Sequence, residues 1–195
     1  MKKVISTALV LIILDQVLKT WIKTHMFLGQ EFKVFDWFII HFTENNGMAF
    51  GIEFGGQIGK NLLTIFRIIV VSFGIGYVFK LTKEKLPSGA LLSLGLIIGG
   101  AIGNIIDSLF YGVIFNDSYL KIASFMPDEG GYSRLLEGKV VDMFYSPIIN
   151  THFPSWAPLV ADQHFIFFRP VFNIADAGIS VGIFTLIIFY RKLFK

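Results

Sequence analysis

Two aspartates in an otherwise apolar chain have the residue type and setting to do chemistry. Asp142 lies in Gly138-Lys139-Val140-Val141-Asp142-Met143-Phe144, and Asp176 in Phe172-Asn173-Ile174-Ala175-Asp176, at the mouth of an apolar helix. A carboxylate near lipid is costly unless a function holds it there. If the two side chains meet within a few ångströms they cannot both ionise easily, so they share a proton and their pKa values split. One carboxylate then takes a proton from water as it attacks a carbonyl. The other polarises that carbonyl and helps protonate the leaving amine. Asp176 also has a purely structural reading, because an acid in the first turn of a helix is favoured by the helix dipole.

Other polar residues sit in the apolar runs. Asp15 and Lys19 are one helical turn apart, acid first, the arrangement that favours an ion pair. They read either as a self-neutralising pair or as the polar wall of a site. Lys23 lies further out, where a lysine can snorkel to the interface. Asn104 and Asp107, three apart, share a face near the outer end of their run. Gly95, Gly99 and Gly103 recur every four residues, a stripe that lets helix backbones approach closely. Asn173, Asp176 and Ser180 fall on one face of the last run. Glu44-Asn45-Asn46-Gly47 has the composition of a turn.

Several chemistries are excluded. There are no cysteines, which removes thiolate catalysis and Cys-bound zinc or iron–sulfur. His25, His41, His152 and His164 form no H-E-x-x-H pattern, and neither a G-x-S-x-G elbow nor a nucleotide-binding glycine loop occurs. No metal and no cofactor is expected. The pI is about 9.1, but the basic residues do not gather into a nucleic-acid surface.

The elements that must position these residues are membrane helices. The 195 residues have a mean hydropathy of +0.66 and 22 Phe, and only 16% are charged, against about 25% in ordinary soluble domains. About 20 apolar residues cross the hydrocarbon core as a helix. Four stretches qualify, about 4–20, 62–79, 90–111 and 173–190, within a single integral membrane domain over 1–195. Eight basic residues and one acid, Glu84, flank the inner ends; the long connections, about 25–60 and 112–170, hold six basic and ten acidic residues. The positive-inside rule puts both termini in the cytoplasm and the long connections outside. Met1-Lys2-Lys3 and the apolar run after it imitate a secretory signal. Asp15 interrupts that run and no small-residue cleavage site follows, so it reads as an uncleaved first span.

Outside the spans, residues 30–54 alternate apolar and polar groups as short strands do. Residues 144–170 are crowded with Phe, Trp and Pro. Both suit a small β-platform with aromatic-rich loops lying against the bilayer. The polar segment Asn116–Gly138, with Pro127, Gly130 and Gly131, reads as a loop. The expected class is a mainly α membrane protein of four transmembrane helices carrying that platform.

Taken together the signatures resemble the lipoprotein signal peptidases, the bacterial type II signal peptidases. The resemblance spans nearly the whole chain: Asp15-Gln16-x-x-Lys19, Asn45-x-Gly47-Met48-Ala49-Phe50, Gly99-Gly100-Ala101-x-Gly103-Asn104-x-x-Asp107, Val140-Val141-Asp142-Met143 and Phe172-Asn173-x-Ala175-Asp176, in that order. It implies an aspartic endopeptidase of the bacterial inner membrane, its site at the outer face and Asp142 and Asp176 as the catalytic pair. Asp15, Lys19, Asn45, Gly47, Asn104, Asp107 and Asn173 are the substrate-binding residues it implies. The implied substrate is a diacylglyceryl-modified prolipoprotein, cut before its lipidated cysteine. The implied inhibitor is globomycin, the implied surroundings are membrane lipid, and a monomer is expected. Ser108 stands where the family often has Arg, and the stretches 113–137 and 146–168 are longer than the pattern expects. The rival reading is a small carboxylate-containing membrane transporter, for which the inverted repeat is missing.

Overall fold

In the computed structural model, the described residues are 1–47, 56–83, 85–156, 158 and 162–194. Glu84 and Lys195, counted above for orientation, and residues 48–54 of the strand region lie outside them.

Four apolar helices form the body: α1 (Lys2–His25), α2 (Gly56–Leu81), α3 (Ser88–Ile114) and α4 (Ile174–Phe189). α1, α2 and α3 have 24, 26 and 27 residues, long and apolar enough to cross a membrane. The fourth expected span is a shorter apolar helix of 16 residues. It starts where its cap, Asn173, is held inside the protein. α2 begins six residues before the expected span. The amine of Lys60, at the end of the expected 25–60 connection, is turned inward and donates to the carbonyl of Glu137 at 2.5 Å.

α3 is the centre, packed along α1 and α4. α1 turns Val4, Ala8, Leu11, Asp15, Lys19 and Ile22 inward, a three-to-four-residue spacing that marks one face of a helix. The glycine stripe of α3 meets that face. A Cβ on Gly99 would lie 2.8 Å from both the Cα and the carbonyl oxygen of Ala8. That neighbour is backbone and cannot rotate away. Gly99→Val should therefore lower the melting temperature in detergent, by an overpacking cost of about 1–3 kcal/mol. Gly74→Ala on α2, where a Cβ would meet open space, should not. Thermal unfolding of both variants checks the contrast. α2 stands apart from this packing: Lys60, Thr64 and Val78 are its buried residues.

Above the helices lies a four-stranded antiparallel sheet, in the order β1 (Glu31–Phe35), β2 (Phe38–Asn45), β3 (Val140–Tyr145) and β6 (Val171–Phe172). β2 and β3 pair Thr43 with Asp142, and β3 and β6 pair Phe144 with Phe172. The sheet covers an apolar cluster that includes Ile22, Met26, Phe42, Phe115, Val141 and Met143. Phe32, Val34, Phe35 and Trp37 of the β1–β2 hairpin stay exposed. A second hairpin, β4 (Ile149–His152) with β5 (His164–Phe167), occupies the long stretch 146–168.

The segment 116–138 has almost no regular structure, yet it is built into the core. Leu28 donates to the Ser118 carbonyl at 2.9 Å, Tyr132 to that of Phe115 at 2.9 Å and Gly138 to that of Ser108 at 2.9 Å. Lys23 is the residue it closes over. Instead of snorkelling, Lys23 is fully buried, paired with Glu44, bonded to Ser118 Oγ at 3.0 Å and ringed by Phe42, Phe115 and Tyr132. An anionic partner and aromatic faces replace water around the ammonium, which is what allows burial.

Candidate active site

The site is built on a buried ion cluster. Lys19 Nζ lies 2.8 Å from Asp15 Oδ2, 2.8 Å from Asp107 Oδ2 and 2.8 Å from Asn104 Oδ1. Its three N–H donors are thus filled by three acceptors. The expected Asp15–Lys19 pair is present and shares its cation with α3. Asp15 reaches α4 as well, its Oδ1 accepting from the Ala175 amide at 2.9 Å. Asp107 Oδ2 accepts from the amide of Val141 in β3 at 3.2 Å. Gln16 completes the cluster, donating to Asp107 Oδ1 at 2.8 Å and accepting from the Tyr111 hydroxyl at 3.2 Å. α3 changes to π-helical hydrogen bonding at Asp107–Tyr111, so that both residues turn toward α1.

Asn173 passes this order to the outer layer. It caps α4: its Oδ1 accepts from the Asp176 amide at 2.9 Å, and Asp176 Oδ2 accepts from the Asn173 amide at 3.3 Å. This reciprocal box satisfies two of the amides that a helix start leaves unpaired. The Asn173 Nδ2 group faces Asp142 Oδ1 at 2.7 Å, Asn104 Oδ1 at 3.1 Å and the Val141 carbonyl at 3.2 Å. Asn104 Nδ2 donates to Asp176 Oδ1 at 2.8 Å. The other oxygen of Asp142 accepts from Asn45 Nδ2. Asn45 is oriented in turn by the Gly47 amide, which donates to its Oδ1 at 2.5 Å. Asp176 therefore fulfils its structural reading as a helix-start acid and also faces the site.

The two carboxylates line one cavity of about 570 Å³, together with Asn45, Gly47, Asn104 and Phe172. Asp142 is only 3% exposed. Burial, then the negative charge of Asp176, pushes its carboxyl up to about 7, against the pull of Lys19 and the two asparagine amides.

The nine expected site residues thus fall into two sets. Asp142, Asp176, Asn45, Gly47 and Asn104 form the wall. Asp15, Lys19, Asp107 and Asn173, expected to bind substrate, are buried behind it with their polar atoms turned to one another. Ser180, one turn beyond Asp176, is exposed. Met48, Ala49 and Phe50 lie outside the described residues. The sequence reading missed Arg67 of α2 and Arg169 before β6, both on the cavity wall. Arg67 carried a signal: it is a charged residue in the middle of an apolar span.

A buried network that joins three membrane helices to a small sheet and presents two carboxylates in one polar cavity defines a membrane protein with an enzyme-like site. A sequence-family profile described as signal peptidase (SPase) II matches residues 7–192. The chain belongs to the signal peptidase II family. It is 50% identical over 192 residues to a lipoprotein signal peptidase of Porphyromonas gingivalis, covering 98% of this chain and 84% of that one. It is 38% identical over 190 residues to the lipoprotein signal peptidase of Amoebophilus asiaticus, covering 95% and 76%. A solved bacterial membrane enzyme superposes with a TM-score of 0.61 at 25% identity, covering 96% of this chain and 92% of that one.

Proposed function

We propose that this protease is an aspartic endopeptidase that removes the signal peptide from diacylglyceryl-modified prolipoproteins, cutting before the lipidated cysteine, with Asp142 and Asp176 as its catalytic pair. The observation that carries the reading is the common cavity of these two carboxylates and their linkage through one residue, Asn173, whose side-chain amide donates to Asp142 and whose backbone amide donates to Asp176. Nothing in the packing or in the relatives favours a transporter.

Below about pH 7 the pair's shared proton is held by Asp142, the more buried partner. Asp176, at a helix start that favours negative charge, takes a proton from the attacking water. Asp142 donates its hydrogen bond to the scissile carbonyl, and the proton gained by Asp176 passes to the leaving amine. Water attacks directly, so no covalent acyl-enzyme forms.

The acyl chains of the substrate stay in the bilayer, each buried methylene contributing about 0.8 kcal/mol. That anchoring fixes the depth at which the peptide reaches the cavity. Both termini lie in the cytoplasm and the cavity at the outer face of the inner membrane, a reading the charge pattern supports. Purified protein incubated with a diacylglyceryl-modified prolipoprotein should release the shortened product, and globomycin should stop it. An intact substrate after prolonged incubation would overturn the reading.

A pH dependence follows. The Asp142 carboxyl is raised, so its proton is present below about 7 and lost above it. The log of kcat/KM should therefore fall as pH rises through about 7, the limb that reports the essential acid of the free enzyme. A profile flat from pH 6 to 9 would remove Asp142 from the acid's role.

A further inference from the structure

α2 adds little to the packed core, yet Arg67 in its middle turns to the cavity. A guanidinium within a span is costly unless acceptors or anions meet it. Here the Gly47 carbonyl accepts from Arg67 Nη2, and the charge of Asp176 acts on it. Position 47 favours glycine through its φ of +88°, and a Cβ there would also lie 2.5 Å from Arg67 Nη1, so the guanidinium would have to shift. From there a chain of contacts reaches the reaction centre. Arg67 holds Gly47, the Gly47 amide orients Asn45, and Asn45 donates to Asp142.

Among the described residues this hydrogen bond uses one of the five N–H donors that a guanidinium carries. Arg67 also lines the cavity. α3 offers no cation in its place, since Ser108 is buried and donates to the Asn104 carbonyl at 3.0 Å. The charge of Arg67 is already opposed by Asp176. Its free donors therefore suit a neutral acceptor with lone pairs, which a peptide backbone supplies, rather than a second anion.

We infer that Arg67 is a substrate-positioning residue, fixed on the Gly47 carbonyl and donating to a main-chain carbonyl of the bound peptide beside the two aspartates. This rests on the peptidase reading above. The planar fork matters as well as the charge, because lysine supplies a point charge without a two-pronged geometry. The charged groups around the guanidinium are Asp176 of α4, Asp142 of β3, Glu44 of β2 and Arg169 before β6, with Lys19 of α1 behind Asp142.

The test compares Arg67→Met and Arg67→Lys with the parent protein in cleavage of a diacylglyceryl-modified prolipoprotein across pH. Parent activity that disappears in Asp142→Asn validates the peptidase reading first; an inactive parent counts against that reading and not against Arg67. Arg67→Met should lower kcat/KM roughly tenfold to a hundredfold, the range for a hydrogen bond from a charged donor. Its pH limbs should move upward, because a cation that favoured the ionised pair is gone. Arg67→Lys should return the limbs toward the parent positions while recovering only part of kcat/KM. Parent-like kcat/KM in Arg67→Met overturns the inference, as does a loss with unmoved limbs, which marks a merely structural role. If Arg67→Met does not accumulate in the membrane, Arg67→Lys decides: parent-like kcat/KM there overturns it.

Discussion

Asp142→Asn and Asp176→Asn should each lower kcat/KM for a diacylglyceryl-modified prolipoprotein by about a thousandfold or more, while leaving a folded protein in the membrane. On the proposed mechanism each change removes a proton-transfer group, a contribution of about 10²–10⁴ on its own. Each also ends the sharing of one proton by the pair, so the partner loses its matched ionisation as well. The amide keeps one acceptor of two. At position 142 it can still receive the Asn173 amide, and at position 176 it can still receive the backbone amide that closes the helix cap. The structural cost is then that of one imperfect buried hydrogen bond, about 1–3 kcal/mol. Single-turnover cleavage and melting in detergent separate the two effects. Parent-like processing by either variant would break the assignment.

The second large effect is on stability. Lys19→Met should lower melting in detergent severely or abolish accumulation in the membrane. The lysine is fully buried and supplies donors to Asp15, Asp107 and Asn104 together. Without it, two carboxylates buried at 1% and 0% exposure face each other with no cation between them. Breaking a buried ion pair by removing one partner costs about 3–5 kcal/mol, a large share of the 5–15 kcal/mol that typically holds a fold together. Adding Asp107→Asn to Lys19→Met should recover part of the loss, because the uncompensated charge is halved. A double-mutant cycle measures that coupling. If the two changes simply add, the cluster is not acting as a unit.

What could be read from the residues was whatever depends on near neighbours. The Asp15–Lys19 spacing foretold a one-turn ion pair and the glycine stripe foretold a close helix contact; each follows from the 3.6-residue period. Asn173 and Asp176 meet instead through a helix cap, with Asn173 itself extended outside the helix and Ser180 exposed. What depends on distant segments was not legible. Lys23 was taken for a snorkelling residue because its partners, Glu44 and Ser118, lie 21 and 95 positions away. Segment 116–138 looked like a plain loop because its backbone partners belong to other elements. The pairing of β3 with β6, which brings Asp142 beside Asn173, joins strands far apart in sequence, and β6 has two residues. Asp15, Lys19 and Asp107 were grouped with the substrate-binding residues on the family resemblance, and neither a motif nor its spacing tells how deep behind the cavity wall a residue sits.

The short fourth helix has a physical consequence for the lipid around it. At 1.5 Å per residue its 16 residues span about 24 Å, less than the roughly 30 Å of a bilayer's hydrocarbon interior. A helix this short is met by thinning of the lipid beside it or by snorkelling of its flanking residues, at a cost of fractions of a kcal/mol per ångström of mismatch. The N-terminal end of α4 carries Asp176, so thinning at that end would bring the polar headgroup region toward the cavity. On the proposed reading, a diacyl-anchored substrate entering such a thinned annulus would bring its peptide to the carboxylates without leaving the leaflet.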